Sequence, residues 1–290
     1  MRSYNPDQIE VRFDDERLVA DAGLLLPATL AVGLGLRQLV DEFVDLGDAP
    51  GRANAGDKAM TLVASALAGG SWIDDCDKLR AGATGQVLGH RVFAPSTIGT
   101  FLRSFTWGSA RQLDEVAGQA LARAWQAGAG PGPWPVTIDV DSTHCQTYGL
   151  HKQGAAGIDR HGERGYHPLL ATVAGSGDVL GSRLREGVAH SGRGATSFIT
   201  EAINRARRAG ASGPICLRAD SGFYNHKVVD ACRKAGVTCS ITVKLTKAVH
   251  KVIAQIPADA WTPIPYGWRA APTSPRPATG RSAARAGSCS

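Results

Sequence analysis

Apolar residues in the first part of the chain recur at helical spacing. Residues 57–67 are apolar on nearly every face, which predicts a buried helix. Residues 110–125 combine strong helix formers with an amphipathic pattern, which predicts a helix on the surface of a core. The glycines and prolines of residues 126–135 then interrupt this pattern, so we place a domain boundary there.

Three shorter helices are predicted between these two, at residues 71–79, 84–88 and 96–105. Ser96 is expected to cap the third helix, because its hydroxyl can accept a hydrogen bond from a free backbone N–H. The arrangement is compatible with a helix-turn-helix DNA-binding motif in which Arg91 and Arg103 contact the DNA. It is equally compatible with a small helical bundle whose arginines are solvated, because three short helices carry no base-reading signature.

Beyond residue 135 the period changes to that of strands. We predict strands at residues 136–141, 169–174, 179–184, 215–219 and 238–243, with helices at 196–209 and after a cap at Asn225. In the first of these helices, Gly210 marks the end, and Arg205 and Arg208 are expected to point away from the apolar face. The order β-β-β-α-β-α-β resembles the RNase H-like fold, in which the first and fourth strands are neighbours in a mixed sheet. The predicted fold class is therefore α/β, with an N-terminal all-α domain.

The predicted strand order implies that two aspartates lie close together. Asp141 ends the first strand and Asp220 follows the fourth, so neighbouring strands would bring the two carboxylates together. A pair of carboxylates at one sheet edge suits a hard divalent cation, for which Mg²⁺ or Mn²⁺ is expected. Two such ions about 4 Å apart are typical of phosphoryl transfer.

Asp139 lies on the same face of the first strand as Asp141, so periodicity alone leaves both as candidate metal ligands. We favour Asp141, because Ser142 and Thr143 follow it and can orient its carboxylate. Asp139 lies deeper in the strand and can serve as a supporting partner.

The composition of the chain limits its expected location in the cell and its expected partners. The hydrophobic fraction of 43% allows a sizeable core, and no apolar run approaches the roughly 20 residues that a membrane span needs. The N-terminus has no signal-peptide pattern, so we expect a cytoplasmic, nucleoid-associated protein without a membrane partner. The six cysteines form no CxxC pair, which argues against a zinc ribbon. A net charge of +6 favours an anionic partner.

Basic residues near the predicted sheet are further candidate DNA contacts. Residues 151–167 form a glycine-rich arm or an ordinary solvated loop, and the segment before residue 196 leads into a helix start that favours an anion. The candidates in the second domain are Lys152, Arg160, Arg164, Arg193, Lys244 and Lys247.

The runs TIDVDSTHCQTYG, KQGAAGIDRHGERGYHPLLA, LRADSGFYN and SITVKLTKAV resemble the DDE transposases of bacterial insertion sequences. The likeness extends from about residue 11 to residue 266. It implies an enzyme that recognises the terminal inverted repeats of its element, nicks double-stranded DNA and joins the freed 3′-hydroxyl to target DNA. The first acid of the family falls on Asp141 or Asp139 and the second on Asp220. A homodimer is compatible with this resemblance.

The chain departs from the family pattern in its C-terminal part. Members carry a third acid, a glutamate in a C-terminal helix, whereas this sequence has no glutamate beyond Glu201. Residues 267–290 lack an apolar period and are expected to be disordered, as an out-of-frame translation would be. We predict a helical domain at 1–130, an incomplete catalytic domain at 136–266 and this tail. Impaired activity is the expected result.

Two alternatives remain. The run VTIDVDST also matches the first motif of haloacid dehalogenase-like phosphohydrolases, in which Asp139 would be the nucleophile and Asp141 the acid/base. That family needs a later acidic pair, whereas Ser221 and Gly222 follow Asp220. The second alternative is a remnant that binds DNA without cleaving it.

Overall fold

The computed structural model describes residues 15, 17–149, 151–157, 163–263 and 273–275. The chain divides into two compact units, Met1–Ala120 and Leu121–Ser290. This division falls within a helix that precedes the glycine- and proline-rich segment in which the sequence predicts a boundary. Each unit has its own hydrophobic core.

The described part of the first unit consists of helices joined by turns and irregular segments. Its α-helices are α1 (Leu25–Gly33), α2 (Leu36–Phe43), α3 (Ala55–Leu67), α4 (Thr84–Val87), α5 (Pro95–Arg103) and α6 (Trp107–Ala124), which continues into the second unit. Short 3₁₀ helices occupy Ala22–Leu24 and Ile73–Arg80. Helix α3 confirms the predicted helix, with Met60 and Ala64 among its buried residues, but it is buried on one side only, since Val63 and Leu67 are exposed.

Two expectations for the first unit need correction. The segment predicted as a helix at residues 71–79 is a 3₁₀ helix, in which side chains three positions apart eclipse one another. Ser96 is not an N-cap: Ala94 occupies that position, and Pro95 is the first helical residue of α5. Proline suits that place because it has no N–H to leave unsatisfied and its φ is already helical.

The second unit is built around a five-stranded mixed sheet. Its strands, in spatial order, are β6 (Val179–Arg183), β5 (Leu169–Val173), β1 (Val136–Ser142), β7 (Ile215–Ala219) and β8 (Thr238–Ile241). Helix α7 (Ala195–Ala209) connects β6 to β7, and helix α8 (His226–Lys234) connects β7 to β8. Strand β1 pairs antiparallel with β5 and parallel with β7. The RNase H-like order predicted from the sequence is confirmed.

Alternation along the strands separates an apolar face from a polar one. Ile138, Leu169 and Leu217 are fully buried in a cluster with residues of α7 and α8. The intervening residues of the central strands include Asp139 and Arg218, which are half-buried and exposed, respectively. One face therefore forms the core, and the other presents charged side chains.

Helix α7 corrects another expectation. Arg208 is exposed as predicted, but Arg205 is buried, with 9% of its surface exposed. Its Nη1 donates a hydrogen bond of 2.6 Å to the Leu180 carbonyl oxygen. The aliphatic stem of an arginine can pack against apolar neighbours while its guanidinium reaches a carbonyl, which helical periodicity does not reveal.

A small second sheet is inserted between β1 and β5. It contains β2 (Cys145–Gln146), β4 (Arg164–Tyr166) and β3 (Ala156–Gly157), in that order. The segment predicted as an arm or a solvated loop is thus partly a sheet, held by antiparallel pairing of β4 with both neighbours. Residues 158–162 lie outside the described part of the chain.

After β8 the chain forms α9 (Lys247–Ile253), a 3₁₀ turn at Ala258–Ala260 and the pair β9 (Trp261–Pro263) and β10 (Thr273–Pro275). Of the tail predicted at residues 267–290, the structure describes β10 alone. The expectation of disorder otherwise falls outside the described residues.

Among the described residues, no single helix is long and apolar enough to cross a membrane. The helical segments Ala22–Gly33 and Leu36–Phe43, bent by 52° relative to each other, reach that length and apolar composition only as a pair.

We expect Leu217→Ala to lower the free energy of unfolding by about 2–5 kcal/mol, because it removes a fully buried side chain from the central sheet. Leu184→Ala is the matched control, because 67% of Leu184 is exposed and its loss should change the free energy by less than about 0.5 kcal/mol. Urea unfolding followed by circular dichroism measures both. Equal effects of the two substitutions would contradict the assigned core.

Candidate active site

The two aspartates at the strand ends lie side by side. Val140 of β1 pairs with Ala219 of β7 in parallel register. Asp141 and Asp220 follow these residues directly, so both lie at the same edge of the sheet. Asp141 is the last residue but one of β1 and still pairs with Leu170 of β5, whereas Asp220 follows the end of β7. Both side chains are exposed there. The register therefore brings together the two acids that the sequence singles out.

Each of these carboxylates accepts a hydrogen bond from a backbone amide just beyond it. The Ser142 N–H donates to Asp141 Oδ1 at 2.7 Å, and the Gly222 N–H donates to Asp220 Oδ1 at 2.9 Å. Bonds of this kind fix the orientation of the carboxylate. The first of them agrees with the expectation that the residues after Asp141 orient it.

Asp139 has a different environment from Asp141. The guanidinium of Arg218, its register partner on β7, donates to both carboxylate oxygens, with Nε–Oδ1 at 2.6 Å and Nη2–Oδ2 at 2.7 Å. This bidentate pair is largely open to solvent, so its contribution to stability is about 1 kcal/mol or less. Sequence analysis missed Arg218, although it lies two residues before Asp220 and thus on the same face of β7.

Two histidines lie close to Asp141. The rings of His144 and His167 meet edge to face, with centroids 4.4 Å apart. His167 Nδ1 lies 2.6 Å from the Ala189 carbonyl oxygen, which can only accept, so Nδ1 carries a proton. Burial is the main cause that lowers the pKa of His167, and His144 and Arg185 add to it, whereas Asp141 opposes it.

The candidate DNA contacts are spread over both units. Arg91 stacks on the Phe93 ring, Arg164 donates to the Ala155 carbonyl oxygen, and Arg193 forms an ion pair with Glu186. The exposed candidates are Arg91, Arg103, Lys152, Arg193, Lys244 and Lys247. Arg160 lies outside the described residues.

The acid pair fits a hard cation in the nature and number of its donors. Mg²⁺ is commonly held by one or two carboxylates while water and substrate phosphates complete its shell. Among the described residues, no group of three or more histidine, cysteine or acidic side chains is arranged to hold a metal by itself.

The fold and the paired acids define an RNase H-like catalytic domain preceded by a helical unit. The chain belongs to the family described as Transposase DDE domain group 1, whose model matches residues 2–267. No match was found among curated proteins.

A Mos1 transposase paired-end complex with left transposon end is similar in structure, with 12% sequence identity and a TM-score of 0.27. The match covers 67% of this chain and 60% of that one.

Acidification should destabilise the protein in part through His167. Because its pKa in the folded protein lies below 6.5, the unfolded chain takes up a proton more readily as the pH falls through that value. The free energy of unfolding should therefore decrease from about pH 7.5 to about pH 5.5.

His167→Asn should show a weaker dependence, because its amide can still donate to the Ala189 carbonyl oxygen but does not titrate. Urea unfolding at the two pH values measures the difference. Some dependence should remain in the variant, since burial also lowers the pKa of His90. Identical pH profiles for the variant and the unsubstituted protein would contradict the lowered pKa.

Proposed function

We propose that this protein acts as a DNA transposase on the ends of an insertion sequence, by metal-dependent phosphoryl transfer. The observation that carries the proposal is the parallel register of Val140 with Ala219, because Asp141 and Asp220 are the next residues on these two neighbouring strands. Membership of the transposase family supports the same conclusion. Mg²⁺ or Mn²⁺ is the proposed ion.

The bound ion would supply positive charge to stabilise the phosphorus centre and its departing oxygen. Asp141 and Asp220 would hold it, each kept in place by its neighbouring backbone amide. Asp139 would contribute indirectly, because both of its oxygens already accept hydrogen bonds from Arg218. This assigns the first acid of the site to Asp141.

A manganese titration tests the assignment. We expect Asp141→Asn and Asp220→Asn each to weaken Mn²⁺ binding at least about 10-fold, because each removes a charged ligand. Asp139→Asn is the matched control and should weaken binding less, since it removes the partner of Arg218 instead. Isothermal calorimetry on the full chain measures the three affinities.

The manganese result can contradict the proposal in two ways. Binding that survives both Asp141→Asn and Asp220→Asn would remove the proposed site. A larger loss in Asp139→Asn than in Asp141→Asn would transfer the first-acid role to Asp139. Circular dichroism confirms that each variant is folded before it is titrated.

Double-stranded DNA is the proposed partner, with the terminal inverted repeats of the element and target DNA as its substrates. The net charge of +6 and the exposed basic residues of both units support this, because counterions released from phosphates favour association. A cytoplasmic location at the nucleoid follows from such a partner.

A homodimer is also proposed. Helix α1 supports it, because this apolar helix has no buried residue and no charge that would repel a second copy.

The number of acids that hold the reacting groups sets the proposed level of activity. No glutamate follows Glu201 in the sequence, and a site made of Asp141 and Asp220 alone would hold the reacting groups less precisely. We propose that strand joining is impaired for this reason. The frameshift interpretation of residues 267–290 remains a prediction, which the other reading frames of the gene can test.

We expect the purified chain to retard DNA that carries the terminal repeats while joining it to target DNA weakly or not at all. Gel retardation measures binding, and nicking with Mn²⁺ is assayed on the same labelled DNA. Asp141→Asn serves as the control for metal-dependent cleavage. Binding without any nicking would favour the DNA-binding remnant, and absence of both would contradict the transposase proposal.

The phosphohydrolase alternative has less support. It requires Asp139 to attack a phosphate as a nucleophile, whereas both oxygens of Asp139 are engaged by the Arg218 guanidinium at 2.6 and 2.7 Å. A carboxylate held in this way is a weaker nucleophile, because the guanidinium draws negative charge away from both oxygens.

A further inference from the structure

A loop of residues 189–193, which we call the bridging loop, lies across the edge of the sheet where the two acids end. It follows β6 and leads into α7. Its central residue, Ser191, is half-buried and contacts segments that follow both acid-bearing strands. The sequence gives no indication of this position.

On the β1 side, Ser191 reaches the residue that orients Asp141. The hydroxyl oxygens of Ser191 and Ser142 are 3.1 Å apart and share a hydrogen bond. Ser142 is also the residue whose backbone N–H donates to Asp141 Oδ1. A substitution at Ser191 therefore affects the position of Asp141 through one intervening residue, Ser142.

On the β7 side, Ser191 packs against the residue that orients Asp220. A Cβ atom placed on Gly222 would lie 2.9 Å from Ser191 Cβ and 3.1 Å from Ser191 Oγ. Gly222 donates its backbone N–H to Asp220 Oδ1. Ser191 thus contacts both residues whose amides donate to the acid pair. It contacts Ser142 by a hydrogen bond between the two hydroxyls and Gly222 by close packing.

The bridging loop is held in place independently of the Ser191 hydroxyl. Arg185 Nη1 lies 2.9, 3.1 and 3.0 Å from the carbonyl oxygens of His190, Ser191 and Arg193. His167 Nδ1 donates to the Ala189 carbonyl oxygen at the start of the loop. Removing one hydroxyl should therefore leave the loop in position and affect mainly its contact with Ser142.

We infer that Ser191 is a positioning residue that fixes the separation of Asp141 and Asp220 for divalent-ion binding. The inference rests on the proposed function, in which these two acids hold the ion. Ser191 acts through Ser142 and Gly222, which orient the carboxylates, and not by touching the DNA or the ion. Side chains in such supporting positions typically change metal affinity by roughly 10- to 100-fold when they are lost.

The test is a double-mutant cycle on Mn²⁺ affinity, measured by calorimetry on the full chain. We expect Ser191→Ala and Ser142→Ala each to weaken binding roughly 10-fold. The double variant should be no weaker than the weaker single one, because both changes break the same hydrogen bond. Ser191→Thr keeps the hydroxyl and should restore most of the affinity.

Ser197→Ala is the matched control. The Ser197 hydroxyl also forms hydrogen bonds, to the Gly194 carbonyl oxygen and from Arg183, but it has no described contact with the residues that orient the acids. We expect this variant to bind Mn²⁺ as the unsubstituted protein does. Should Ser191→Ala fail to fold, Ser142→Ala breaks the same contact from β1 and carries the test.

The outcomes distinguish this inference from the function on which it rests. Unchanged affinity in Ser191→Ala, or additive losses in the double variant, would overturn the role of Ser191 while the acid site stands. Mn²⁺ binding that persists in Asp141→Asn and Asp220→Asn would instead overturn the proposed function. Loss in Ser191→Ala with rescue in Ser191→Thr would support the positioning role.

Discussion

The parallel pairing of β1 with β7 is the constraint on which the rest of the second unit depends. Parallel neighbours need a long crossover, which β5, β6 and α7 supply between them. Burial of Ile138 and Leu217 on one face holds the register. A shift of one residue would move these side chains out of the core and would carry Asp141 away from Asp220.

The same alternation explains how charged side chains occupy one face of a sheet whose other face packs in a hydrophobic core. The apolar side chains of β1 and β7 face α7 and α8, and the charged ones occupy the opposite face. Asp139 is compensated by Arg218, whereas Asp141 and Asp220 lie at the exposed edge with backbone amides as donors. Like charges that are close together without a guanidinium between them favour a cation from solution, which is the basis of the proposed metal site.

The surroundings of the acid pair are organised by bonds from side chains to backbone carbonyl oxygens. Arg185 and His167 hold the bridging loop, and this loop in turn contacts the residues after Asp141 and Asp220. A site of this kind is supported from outside the sheet by elements that do not themselves carry the acids. The precision with which the two carboxylates are positioned depends on how rigidly Arg185, His167 and the bridging loop are held.

The sequence by itself determined where the five strands of the main sheet lie along the chain and that Asp141 and Asp220 stand at or near strand ends, because alternation and strand termination are local properties of the chain. Tertiary structure alone decided that Asp139 pairs with Arg218, 79 positions away, that Arg205 turns into the core and that Ser191 reaches both strand ends. These contacts depend on register and on the path of loops, which join residues that no local pattern relates. Ser96 shows the same limit at short range, since the N-cap is Ala94, two residues before the position that the Ser96 hydroxyl suggests.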